Sequence, residues 1–234
     1  MPIEEAMQQP KLFVWDVDGT LYRQAPLRAA ILREFTRRYW KRPLEGLVQA
    51  RILAAHRRAL EHLRTGDPGS FSAAAHFDLT CQFSGRRSHQ VRDCLAEWFE
   101  EVPLTILPHC ARPGLTGLLK ALLLRRVPLA VFSDYEPRRK IAALGLSGYF
   151  ALMCSASDSG IRTLKPNPRG LQAVLSRMGV DPSEAVYIGD RPELDALAAR
   201  RAGMRAVIFG KHNLQRADWR EVIHVHQLQQ LVYA

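Results

Sequence analysis

The chain has 234 residues, 47% of them apolar, enough to bury a full core in one large domain with an insert. Its longest apolar stretches, such as Leu118 to Leu124, are interrupted by Lys120 and closed by Arg125 and Arg126, well short of the roughly twenty residues a membrane-crossing helix needs. The formal charge is +10, yet its dispersion in doublets such as Arg57-Arg58, Arg125-Arg126 and Arg200-Arg201 argues for a solvated surface that attracts small anions over a nucleic-acid interface.

In chain order, residues 1 to 11 carry Glu4 and Glu5 and no apolar leader, so a cytoplasmic location is expected. The run Leu12-Phe13-Val14-Trp15 predicts a buried strand over 12–16, followed by Asp16-Val17-Asp18-Gly19-Thr20. In an extended segment residues i and i+2 point the same way, so Asp16 and Asp18 can face one reacting atom while Gly19 lets the chain turn. Residues 22–104 read as a helical insert: Leu, Ala and Arg recur at helical spacing, a turn cluster falls at Thr65 to Ser70, and no strand stands out. The expected division is therefore a core of 1–21 and 105–234 and a cap of 22–104.

Beyond the insert, strands are predicted near 128–132, 150–154, 185–189, 205–208 and 222–225, and helices over 113–126, 137–144, 168–178 and 194–202. Alternation of this kind gives an α/β fold with a doubly wound parallel sheet. Three polar signals follow apolar runs: Ser133-Asp134, Lys165 within Leu164-Lys165-Pro166-Asn167-Pro168, and Gly189-Asp190 through Asp195. In a parallel sheet the carboxyl ends of the strands share one edge, so these residues converge with the first acid pair. Glu193 and Asp195 also suit the first turn of the following helix as charged caps. His224 and His226 read as the polar face of an edge strand, and Cys81, Cys94, Cys110 and Cys154 have no metal-finger or disulfide spacing.

With these four stretches in order, the chain resembles the haloacid dehalogenase-like hydrolase superfamily, in its phosphatase-type branch with a helical cap. The likeness continues in Leu144-Gly145-Leu146 and Ala202-Gly203-Met204. It implies Asp16 as nucleophile, Asp18 as general acid and base, and Mg²⁺ held by Asp16, Asp190 and the main-chain carbonyl of Asp18. It further implies that Ser133, Lys165 and N–H groups near Gly19 and Asp134 surround the phosphoryl oxygens, and that Asp195 supports the lysine or a metal-bound water. Dehalogenases of the family attack carbon and lack the second acid, so Asp18 points to phosphorus.

The activity expected is Mg²⁺-dependent hydrolysis of a small phosphorylated metabolite, a phosphoglycolate-like acid or a sugar phosphate, through an aspartyl-phosphate. Specificity is expected in the cap, with Tyr22, Arg23, His76, Phe77 and Arg86 as candidates. Two alternatives stay open. A phosphomutase would return the phosphoryl group to a substrate hydroxyl, and a basic nucleic-acid- or protein-binding module would keep the motifs without turnover.

Overall fold

The computed structural model describes residues 10–67, 69–210, 219–222 and 224–233, with backbone alone at 219–222 and 230–233. Six strands form one sheet: β1 (Leu12–Trp15), β2 (Leu129–Ser133), β3 (Leu152–Ser155), β4 (Ala185–Gly189), β5 (Arg205–Phe209) and β6 (Trp219–Val222). Every pairing is parallel and the order is β3-β2-β1-β4-β5-β6. The order reverses between β1 and β4, and the crevice beyond the carboxyl ends of those two strands is where an open parallel sheet binds ligands.

Alternation along the strands explains why both faces are covered. Phe13, Trp15, Val131 and Ile188 point to one side and pack with Leu115, Leu118, Leu119 and Leu122 of α6 (Leu115–Leu124). Leu12, Val14, Phe132 and Tyr187 point to the other and pack with Leu171 and Val174 of α8 (Arg169–Met178) and Ala198 of α9 (Leu197–Arg201). A strand buried on both faces reads as an unbroken apolar run, which is why Leu12 to Trp15 is recognisable from sequence.

The insert is helical throughout: α1 (Gln24–Tyr39), α2 (Pro43–Arg64), α3 (Ala73–Ser84), α4 (Ser88–Leu95), a wide π-helical turn at Ala96–Glu101, and α5 (Val102–Ile106). It has its own core of Ile52, Val91, Cys94 and Trp98. Leu60 and Phe71 of the insert meet Ala156 and Leu164 of the sheet domain in a separate small cluster. The chain enters and leaves through a narrow neck. Tyr22 bridges Ala111 in antiparallel fashion, Arg23 N donates to Cys110 O at 2.9 Å, and Arg112 N donates to Leu21 O at 3.2 Å.

Two predicted elements differ from the structure. The final strand lies at 219–222, earlier than the expected 222–225, and Val225 opens α10 (Val225–Tyr233). Four residues fit either period, and what decides is that Val225 and Leu228, three apart, are both buried against the sheet. Gln227 also accepts from His224 N at 2.9 Å, half of a capping box, so His224 and His226 flank a helix start and do not line a strand. The predicted helix 194–202 begins instead with a wide π-helical turn at Pro192–Ala196, and α9 follows. That turn swings Asp195 back toward the site.

Candidate active site

Asp16 follows β1 directly, and its N–H donates to Ile188 O at 2.8 Å, so the end of β1 is tied to β4. The residue is 3% exposed. Lys165 Nζ donates to Oδ1 at 2.6 Å and Thr20 Oγ1 to Oδ2 at 3.2 Å, which fixes the rotamer from both oxygens. The chain then turns: Thr20 and Leu21 N–H groups both donate to Val17 O, and Gly19 adopts φ +92°. A Cβ at Gly19 would stand 1.9 Å from Asp190 Oδ2, so only glycine lets this loop lie against the acid at the end of β4.

Lys165, 4% exposed, is held by three groups. Besides Asp16 it donates to Asp195 Oδ1 at 2.7 Å and to Tyr187 Oη at 3.1 Å. Burial works against its charge, but Asp16 and Asp195 outweigh burial and raise its pKa well above the usual lysine value. The second oxygen of Asp195 accepts from the N–H groups of Asp190 and Arg191 at 3.0 and 2.9 Å. One carboxylate therefore links the lysine to the loop that carries Asp190, and this is what the wide turn accomplishes. Glu193, two residues earlier, points to solvent in a pair with Arg191.

Oxygen atoms of Asp16, Asp190 and Asp195 lie within 4.8 Å of one another. Three carboxylates face one ammonium there, a surplus of two negative charges. Burial and the neighbouring Asp195 push the Asp190 carboxyl up to about 7, and burial likewise raises Asp16 despite Lys165. Asp190 Oδ1 is buried with no hydrogen-bond partner among the described residues. An oxygen-rich cluster with more carboxylates than cations and an orphaned oxygen fits a hard divalent cation such as Mg²⁺. Both oxygens of Asp195 and of Asp16 already accept hydrogen bonds, whereas Asp190 Oδ1 has no partner among the described residues.

Asp18 faces elsewhere. Its oxygens accept from Lys140 Nζ at 2.6 and 2.7 Å, and Oδ1 also accepts from Tyr22 Oη at 2.5 Å. Burial would raise its pKa, yet the Lys140 charge and these hydrogen bonds outweigh burial and hold it below the ordinary carboxylate value. Ser133, 2% exposed, ends β2, and Tyr135 N donates to its Oγ at 3.4 Å. The Asp134 side chain is occupied: Oδ1 accepts from Lys165 N at 3.0 Å and Oδ2 from Arg64 Nη1 at 2.9 Å. Only its main-chain N–H remains to approach an anion.

Sequence reading missed four groups. Lys140 begins no motif and reaches Asp18 across 122 residues of chain. Arg64 of the insert, 8% exposed at its side chain, bonds both Asp134 and the Lys165 carbonyl. Arg112 donates to Thr20 O at 2.8 Å and Gly19 O at 2.5 Å and stacks on the Phe209 ring at 4.1 Å, clamping the turn after β1. Tyr187 sits inside an apolar run that reads simply as strand.

Of the cap candidates, Tyr22 touches Asp18, whereas Arg23 and Arg86 form no contact with these groups in the hydrogen bonds and ion pairs described, and Phe77 packs with the insert core under Arg92. His76 is buried and stacks on His56 at 4.0 Å, its Nε2 donating to His56 O at 2.8 Å. Thr80 gives its one hydroxyl proton to His76 O, so His56 Nδ1 must carry the proton it shares with Thr80 Oγ1 at 3.1 Å. His56 Nε2 is then a buried lone pair without a partner among the described residues, and burial with His76 lowers the His56 pKa to about 3.

A profile of the family described as "Hydrolase: haloacid dehalogenase-like hydrolase" matches residues 10–203. The phosphoserine phosphatase of Thermus thermophilus is 31% identical over 84% of this chain and 87% of its own length. Phosphoglycolate phosphatase 1 of Pseudomonas aeruginosa is 28% identical over 88% of this chain and 72% of its own. The crystal structure of a 2-haloacid dehalogenase from Pseudomonas syringae pv. Tomato shares the fold with a TM-score of 0.66, at 24% identity over 96% of this chain and 98% of that one. The chain belongs to the haloacid dehalogenase-like hydrolase family, within the branch that holds its phosphatases.

Proposed function

We propose that this protein is a Mg²⁺-dependent phosphomonoester hydrolase acting on a small phosphorylated metabolite through an aspartyl-phosphate on Asp16. The observation that carries this reading is the pairing of a buried carboxylate locked between Lys165 and Thr20 with a second carboxylate, Asp18, two residues on. A fold shared with a dehalogenase leaves carbon and phosphorus chemistry both open, and a second acid at this position supports phosphorus. Asp16, Asp190 and the main-chain carbonyl of Asp18 would hold Mg²⁺, which would supply positive charge against which a phosphate dianion and a carboxylate can approach. We further propose residues 22–104 as the cap and 1–21 with 105–234 as the catalytic core.

In the first step an Asp16 oxygen forms a bond to phosphorus while the ester P–O bond breaks, and Asp18, ionised while it pairs with Lys140 in the free protein, must take up a proton on substrate binding before passing it to the departing oxygen. In the second, Asp18 takes a proton from water as that water bonds to phosphorus and the Asp16–phosphorus link breaks. The atoms then stand as free alcohol, inorganic phosphate and the original carboxylates. Ser133, the Lys165 ammonium and the main-chain N–H groups near Gly19 and Asp134 would face the equatorial oxygens, where positioning and charge carry most of the rate.

The test is phosphate release across a panel of phosphorylated metabolites with and without Mg²⁺. Asp16→Asn is expected to lose at least about a thousandfold in kcat with its circular-dichroism spectrum unchanged. Residual turnover within tenfold of the parent would remove Asp16 as nucleophile, and conversion of a hexose monophosphate to its isomer without phosphate release would identify a mutase instead.

A further inference from the structure

A cavity of about 170 Å³ opens where the insert meets the sheet domain. It lies against the loop on either side of Lys165, yet none of Asp16, Asp18, Ser133, Lys165 or Asp190 lines it, so it is separate from the proposed catalytic cluster. The insert contributes the end of α2 and the turn after it, with Asp67 and Phe71, and the sheet domain contributes Arg162, Thr163 and Leu164 together with Arg201 at the end of α9. Phe71 N donates to Arg162 O at 3.2 Å and Arg201 Nη1 to Pro166 O at 3.2 Å, so the walls are tied together beside the opening.

Two independent observations say what this cavity would receive. Thr163 is 4% exposed, and its Oγ1 is buried with no hydrogen-bond partner among the described residues. A buried hydroxyl in that state has lost the hydrogen bonds water gave it, and a ligand oxygen in the cavity that Thr163 lines would restore one. The charges are the second observation. Among the described residues neither Arg162 nor Arg201 forms an ion pair, and Asp67, the one acid in the lining, pairs with neither of them. Arg64, the third guanidinium there, is already bound to Glu61 and Asp134. A guanidinium presents parallel N–H donors that match the oxygens of a phosphate, and a neutral ligand would leave both free arginines unanswered.

We infer that this cavity is a second anion site, which binds inorganic phosphate between Arg162 and Arg201 with the Thr163 hydroxyl as a further donor. The assignment does not depend on the phosphomonoesterase reading. An anion held there braces the loop that presents Lys165, because Arg201 already donates to the carbonyl of the next residue.

Calorimetric titration of the full chain with inorganic phosphate tests it, in EDTA so that the carboxylate cluster holds no divalent ion to receive an anion, and in about 0.1 M sodium chloride to screen loose surface attraction. The parent is expected to bind phosphate with a Kd of about 1 mM or below. Arg162→Gln combined with Arg201→Gln should weaken binding at least about tenfold, and Thr163→Val about threefold or more with no change of charge. Asp67→Asn acts in the opposite direction: it removes the one opposing carboxylate and should tighten binding about twofold or more. Should the double variant not fold, Arg162→Lys and Arg201→Lys replace it, each keeping the charge but losing the paired donors, with an expected loss of about threefold. Ser133→Ala changes only the catalytic pocket and should leave the affinity within about twofold. Absence of binding, affinity unmoved by the arginine variants, or a loss in Ser133→Ala as large as in those variants would each overturn the assignment, the last by placing the phosphate in the catalytic pocket.

Discussion

Gly19 and His56 show how single positions set limits on this site. Gly19→Ala places a methyl group on Asp190 Oδ2 and forces a φ of +92° on an L-residue. It is expected to lower kcat by about a hundredfold or more through displacement of the Asp190 loop, with a fall in thermal midpoint of only a few degrees. His56 acts on stability. Its folded pKa of about 3 lies below the ordinary 6.5, so the unfolded chain gains a proton that the folded one refuses as pH falls between those values. Stability contributed by neutral His56 is therefore full above about 6.5 and declines by up to about 1.4 kcal/mol per pH unit on acidification. His56→Gln should flatten that slope in urea denaturation curves taken between pH 7 and pH 4, and an unchanged slope would exclude His56 as its source.

At the scale of elements, close packing of α8 on the sheet sets another limit. A Cβ at Gly170 would stand 1.9 Å from Phe132 Cζ, so Gly170→Ala is expected to cost about 1–3 kcal/mol by overpacking, read as a lowered urea midpoint with unchanged slope. Pairing it with Phe132→Leu should recover part of the loss. These central elements are legible because burial on both faces leaves a run such as Ala185 to Ile188 without polar interruption, followed at once by Gly189 and Asp190. The end of the sheet is not. Trp219 to Val222 and the turn into α10 offer too few residues for either period to prevail, and the deciding contacts of Val225 and Leu228 come from the far face of the sheet. The motif residues Asp16 and Asp190 are readable for the same reason as their strands, being the polar residues at which apolar runs stop, whereas Lys165 is marked by the prolines that follow it in a loop well past β3. Lys140, Arg64 and Arg112 occupy ordinary helix and loop positions, and only packing brings them to the site.

Taken as a whole, the molecule joins insert to sheet domain in part through the buried ion pair of Arg64 with Asp134, the side chains being 8% and 11% exposed. Removing one partner of such a pair strands the other, so Arg64→Ala is expected to destabilise by about 3 kcal/mol. Because Asp134 also holds the Lys165 amide, the variant should lose phosphate-ester turnover as well, and a double-mutant cycle with Asp134→Ala should show strong coupling. Additive effects would mean that the link is incidental. Among the described residues no helix is long and apolar enough to cross a membrane.

The neck of the insert carries one more consequence. Tyr22 is a rung of the ladder on which the insert hangs, through its bridge to Ala111, and the same residue grips Asp18 with its hydroxyl. Asp18 and the hanging helices thus share a pivot. Any tilt of the helical lobe drags the phenol with it, and Asp18 is braced on that side only while the lobe keeps its present attitude.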